Sequence, residues 1–296
     1  MSFRRRFVNL KFQLGEGEFG AAGTDTVELE GLRCSVDIVR AGIAFSQAQI
    51  RVWGMRLDLM KRLTVTQQFY IEQRVNNRVI VEVGEEWEEE GRPKQAIGTC
   101  FVGTIWDATV DARQAPDVSF NVSANSSLLE TSRPVPPLSF RGPVDINLAM
   151  QSIADQLGYS FENGGVFATL QNPYKPGTLK SQILSLCKDV GCHVDVDETQ
   201  QVIAIWPRGG SRSGEIPRIA PDSGLVGYPS FTQGGVAFTT LYNPSIGFGQ
   251  NVRLETQVPG ANGEWTVMGL AHRLEANVPG GQWFTDVECI FSGGPR

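Results

Sequence analysis

Apolar and polar residues alternate from the start of the chain. Val8, Leu10, Phe12 and Leu14 are separated by polar neighbours, the period of a strand with one face buried. Gly15 to Gly23 reads as a turn. Val27 and Leu29, then Leu32, Cys34, Val36 and Ile38, then Ala48, Ile50 and Val52 repeat the alternation, and the last run ends at Trp53-Gly54. Arg56 to Leu63 suits a short helix. Further strands are expected at Thr66–Ile71, Arg78–Val83, Thr99–Ile105, Ala108–Asp111 and Asp117–Ala124. Starts recurring every ~10–15 residues, with turn residues between them, predict an antiparallel barrel or sandwich over residues 1–125.

The texture then changes. Ser132 to Pro143 is rich in proline and must be extended or looped. Asp145 can cap a helix whose apolar face is Ile146, Ala149, Met150, Ile153 and Leu157, with Gly158 as its stop. A second helix is expected from the cap Thr178, burying Leu179, Ile183, Leu186, Cys187 and Val190 and ending at Gly191. Two strands follow, near 192–196 and 201–206, so that residues 126–207 form a small α+β insert. Arg208 to Pro221 reads as a polar linker with little to bury. Strands at 236–241, 251–256, 264–274 and 282–291 make residues 222–296 a second β-domain. The expected fold is mainly β with a small α+β insert: two antiparallel β-barrel or sandwich domains flanking a mixed domain.

Composition narrows the function. With 41% hydrophobic and 20% charged residues the chain can bury a core, and 33 Gly and 16 Pro favour many short strands. A net charge of −6 argues against a basic surface gripping nucleic acid. No apolar run approaches the ~18 residues of a membrane span. Residues 1–14 carry Arg4, Arg5 and Arg6 but no apolar segment behind them, so they do not read as a signal peptide. Five scattered cysteines do not resemble a disulfide framework, and two histidines leave little material for catalysis.

Each candidate for chemistry has a plainer reading. Cys187, Cys192 and His193 fall short of four zinc ligands, and Cys187 lies on a helix's apolar face. His272 alternates with Leu270 and Leu274 and lacks the partners of a catalytic triad. NPSIGFGQN and GEGEFG are turns, because no helix opens after them to hold a phosphate. No catalytic, metal or cofactor site is expected. The stretch 84–91 sets Glu85, Glu86, Glu88, Glu89 and Glu90 around Trp87; mutual repulsion predicts a solvated hairpin tip, with an electrostatic lining or a docking loop as the functional alternative.

The order of segments resembles the baseplate hub proteins of contractile bacteriophage tails, relatives of type VI secretion spike hubs. The resemblance is carried by AQIRVWGM (48–55) with a short helix behind it, RVIVEVG (78–84), CFVGTIWDATVD (100–111) and DVSFNVSA. In the C-terminal part it rests on 224–256 and on GEWTVMGLAHRLEANVPGGQWFTDVECIF (263–291), where an H-x-L-E strand meets a W-x-T strand across a Gly-rich turn. It brings no active residues. It implies two tube-like β-domains per chain and a homotrimer that presents six similar domains to a six-fold tail tube and three-fold surfaces to a central spike. The implied partners are itself, a tail tube protein or adaptor, the spike and other baseplate proteins, with genomic DNA passing but not bound. The implied location is the virion baseplate, after assembly in the host bacterial cytoplasm. The five glutamates are then candidates for the lumen wall or a subunit contact. A carbohydrate- or cell-wall-binding β-module, needing solvent-facing aromatics, and a peptidoglycan hydrolase, needing an isolated carboxylate pair, are the rival classes.

Overall fold

A computed structural model of the chain describes residues 4–19, 23–41, 46–64, 76–89, 92–126 and 134–292. The strand expected at Thr66–Ile71 lies outside them. The chain divides into two units: Met1–Arg40, Phe45–Ser126 and Ala271–Thr285 form the first, and Ala41–Ala44, Ser127–Leu270 and Asp286–Arg296 the second.

Unit 1 is built from β1 (Arg4–Gln13), β2 (Thr26–Leu29), β3 (Arg33–Ala41), β4 (Gln47–Trp53), the short helix α1 (Leu57–Leu63), β5 (Arg78–Glu89), β6 (Arg92–Asp111) and β7 (Ser119–Asn125). The sheet order is β3-β4-β7-β6-β5-β1-β2, antiparallel at every step. Alternation decides which face is buried. In β4, Ala48, Ile50 and Val52 are buried while Gln47, Gln49 and Arg51 face solvent. Val8, Leu10, Phe12, Val79, Val81, Phe101, Phe120 and Val122 join that buried set, each worth about 1.5–3 kcal/mol of transfer free energy. The Asn277 side-chain amide donates to the carbonyls of Gly31 and Leu32 at 3.1 and 3.2 Å, which ties residues 271–285 into this unit.

Sequence alternation predicts two strands at 99–105 and 108–111, whereas β6 is one strand of 20 residues. Its ladder with β7 slips by one residue between Ile105 and Asp107. That bulge moves the buried positions from Ile105 to Ala108, an odd spacing that reads as a break when only the sequence is seen.

Unit 2 holds β8 (Pro134–Ser139), β9 (Pro143–Asp145), α2 (Ile146–Leu157), β10 (Ser160–Asn163), β11 (Thr169–Gln171), β12 (Tyr174–Thr178), α3 (Leu179–Val190), β13 (Cys192–Asp197) and β14 (Val202–Pro207). The helices begin and end where their caps require. Asp145 accepts from the Asn147 amide and Thr178 from the Ser181 amide, while Gly158 and Gly191 take left-handed φ of 71° and 77°. The sheet β10-β14-β13 lies under them. The alternate residues of β14 belong to two different cores: Ile203 and Ile205 pack with the buried faces of α2 and α3, whereas Ala204 and Trp206 pack with Phe248, Val252 and Val287. A strand buried on both sides must be apolar throughout, hence the run VIAIW.

The rest of unit 2 comes from β15 (Arg218–Ile219), β16 (Leu225–Phe231), β17 (Gly235–Leu241), β18 (Asn251–Leu254) and the parts of β19 (Gly263–Ala276) and β20 (Trp283–Phe291) assigned to it. β16 was not legible as a strand, because Gly227 and Pro229 interrupt its alternation and its ladder with β17 shifts between Val226 and Ser230. Residues 208–221 are more than a linker. Ile219 and Ala220 are buried, and the Arg212 guanidinium is buried between Asp195 at 2.8 Å and Glu162 at 3.0 Å.

One strand order occurs twice. The five strands β3-β4-β7-β6-β5 and the five strands β16-β17-β20-β19-β18 follow the same path: a hairpin, a partner that arrives last, and then the two preceding strands in reverse. β15 joins β18 in parallel.

Because Trp206 is fully buried, Trp206→Ala is expected to lower unfolding free energy by about 3–5 kcal/mol, seen as a lower urea midpoint in circular dichroism.

Candidate functional site

The glutamate stretch is strand at the closing end of the β5–β6 hairpin, with Glu88 and Glu89 exposed. Glu85, Glu86, Glu88 and Glu89 lie on β5, the first two in register with both β1 and β6 and the last two with β6 alone; Glu90 lies outside the described residues. Expected repulsion is overcome by pairing. Arg4, Arg5 and Arg6 stand opposite Trp87, Glu86 and Glu85. Arg4 and Arg6 both reach Glu85, at 3.0 and 3.3 Å, and Arg5 reaches Glu86 at 3.7 Å. The Arg4 guanidinium also stacks 5.3 Å above the Trp87 ring. Further along, Lys11 bridges Glu82 at 2.8 Å and Glu28 at 3.3 Å, and these carboxylates raise its pKa. Lys94 stands 4.0 Å from Glu89. Pairs this exposed contribute at most about 1 kcal/mol each, so the ladder fixes register and charge more than stability.

Among the described residues these strands form a ribbon with open edges. β6 pairs with β7 only from Thr104 onward, so 92–98 are paired on the β5 side alone. β1 pairs with β2 only at 10–13, so 4–9 are likewise paired on one side. Ile97 is half exposed on this ribbon. An edge of this kind exposes backbone donors and acceptors, and charged side chains on it discourage indiscriminate pairing. At its base Phe7 lies across Gly84, where a Cβ would collide with the phenyl ring and the Ala96 carbonyl oxygen.

The other singled-out residues are structural in position. Trp206, Trp265 and Trp283 are buried, and Trp53 carries the Arg33 guanidinium 4.5 Å over its ring, so none of the four offers a bare face for a sugar. His193 packs on Trp206 with ring centroids 5.7 Å apart. His272 is partly buried on β19, its Nδ1 2.9 Å from Thr285 Oγ1, and desolvation pushes its pKa down to about 4, helped by the Arg40 charge. The arginine partners of the glutamates are residues that the sequence alone does not bring to them. Their signal was the triplet 4–6 beside an acidic strand of matching length, which only register can align.

Across residues 8–288 the sequence matches the family described as baseplate hub gp41. The chain belongs to that family. The hub chain has no significant match among curated protein sequences. Solved structures resemble it over nearly its full length. The tail protein from Neisseria meningitidis MC58 is 10% identical with a TM-score of 0.61, covering 96% of each chain. The 43 kDa tail protein of prophage MuSo2 from Shewanella oneidensis is 10% identical with a TM-score of 0.59, covering 95% of this chain and 96% of its own. The E. coli c3393 protein, a type VI secretion component described as structurally similar to the phage T4 tail proteins gp27 and gp5, is 10% identical with a TM-score of 0.53. That match covers 88% of this chain and 73% of c3393. At these identities the likeness is one of fold. No helix among the described residues is long and apolar enough to cross a membrane.

Gly84→Ala is expected to destabilise the hub chain by about 1–3 kcal/mol, lowering the thermal midpoint, because neither the Phe7 ring nor the Ala96 backbone can move away freely. Gly98→Ala, with nothing near its Cβ, should stay within about 0.5 kcal/mol of the parent.

His272 predicts an acid limb. The folded state holds the imidazole neutral down to about pH 4, whereas the unfolded chain takes up the proton near its ordinary value of 6.5. The stability this confers is complete above pH 6.5 and is lost as pH falls toward 4. Chemical denaturation of the parent and of His272→Gln across that window should show a shallower pH slope for the variant; parallel slopes would refute the assignment.

Proposed function

We infer that this hub protein is a non-enzymatic structural subunit that assembles as a homotrimer. The trimer joins the six-fold tail tube, or an adaptor, to a three-fold central spike and leaves a path for DNA. The observation that carries this reading is the repeated five-strand order within one chain, since three copies of a chain with two like sheets offer six like surfaces. Membership of the baseplate hub family supports it, as does the fold shared with tail proteins. A net charge of −6 supports passage of DNA without adhesion.

Of the two roles open to Glu85, Glu86, Glu88, Glu89 and Glu90, a subunit contact has the better support. Glu85 and Glu86, matched by Arg4, Arg5 and Arg6, project little negative field toward a lumen, and a ribbon with open edges and set charges suits pairing with a neighbouring chain. The further partners in this reading are the spike and other baseplate proteins, in the virion tail, with assembly in the host bacterial cytoplasm.

Light scattering of the chain co-expressed with its spike and tube neighbours, together with electron microscopy of tails carrying labelled protein, tests the reading. Three copies per complex and label at the distal end of the tube are expected; a monomer that never enters tails would sink it. Glu85→Lys with Glu86→Lys should lower trimer yield by about tenfold or more while circular dichroism stays unchanged. Undiminished trimer would remove the ribbon from the interface.

A further inference from the structure

We propose that neighbouring copies of this chain join strand to strand, the outer edge of β16 in one copy lying antiparallel along residues 107–111 of β6 in the next. The pairing presupposes the trimer inferred above and names the two edges that close it. The chain itself supplies the pattern. In the two five-strand sets the first strand is β3 or β16, and the fourth along the path is β6 or β19. Within unit 1, β3 pairs on its outer side with β19. Asn277, just past the end of β19, donates to the carbonyls of Gly31 and Leu32, just before β3 begins, so the two strands run antiparallel. The first strand of one set thus completes the fourth strand of the other.

The reciprocal match is left unmade. On β19, β18 stops where the Val267 amide bonds to the Gln250 carbonyl, and β3 takes the strand farther along. On β6, β5 stops in the same way, at Thr104, with the Ile105 amide bonded to the Asn77 carbonyl. From Asp107 to Asp111 the strand then pairs with β7 alone among the described residues. β16 ends the strand order and pairs only with β17. Both edges carry exposed apolar side chains, Val226, Tyr228 and Phe231 at 40%, 74% and 59% and Val110 at 39%, which a partner strand would bury. Gly227 and Pro229 blunt the β16 edge against indiscriminate pairing, so contact there depends on side chains as well as backbone. The occupant is a second copy because every copy carries the complementary edge, of the kind β3 already fills. The two edges differ, so the contact is head to tail and builds a ring rather than a two-fold dimer.

Two differently tagged full-length forms, Val110→Cys and Tyr228→Cys, are co-expressed with the spike and tube neighbours and treated with a short bismaleimide. Linked dimers carrying both tags are expected. None should form from either variant alone or from the parent, whose described cysteines are buried or half-buried. Tyr228→Asp with Phe231→Asp sets acids against Asp107 and Asp111 and should lower trimer yield about tenfold or more, with circular dichroism unchanged. Trimers in light scattering that give no mixed link, or that tolerate both aspartates, would overturn this edge contact and leave the trimer standing. Absence of any trimer would overturn both.

Discussion

Backbone hydrogen bonding at the sheet edges is the constraint on which this structure depends. A strand left with one side unpaired carries a row of donors and acceptors that must be matched by another strand, by water or by another chain. In the first unit β3 to β7 satisfy one another in a fixed order, and the shortage appears at the ends, along 92–98 of β6 and 4–9 of β1. That stretch is also where arginines and glutamates are interleaved. Their pairing keeps the ribbon in register and gives its edge a defined charge pattern.

In the second unit a single strand joins two cores. β14 turns Ile203 and Ile205 toward the helices and Ala204 and Trp206 toward the β-layer, so neither layer can be lost without exposing the other. The segment after it is held by charge. Arg212 is buried, and an unpaired guanidinium there would cost several kcal/mol; Asp195 and Glu162 offset part of that cost. A glycine-, serine- and proline-rich stretch thus acquires a definite path from the two ion pairs of buried Arg212 and the burial of Ile219 and Ala220.

Much of this was legible locally. The limits of α2 and α3 follow from Asp145, Gly158, Thr178 and Gly191, because caps act over one turn of chain and need no distant partner. The buried positions of β1, β3 and β4 follow from period-two alternation. What misled was local in form but non-local in cause. The bulge in β6 depends on its pairing with β7, and the departure of β16 from alternation depends on its pairing with β17. The acidic run reads as solvent-exposed until three arginines about eighty residues earlier are laid against it.

The amino-acid sequence on its own determined the mainly β character, the helix termini, the buried face of each regular strand and the family. These rest on periodicity, capping and motif, all written within a few residues of chain. Tertiary structure alone decided the repeated strand order, the charged ribbon and the buried Arg212. The physical reason is reach: register, ion pairing and edge satisfaction join residues whose partners are set by the fold, and no local pattern encodes which strand arrives beside which.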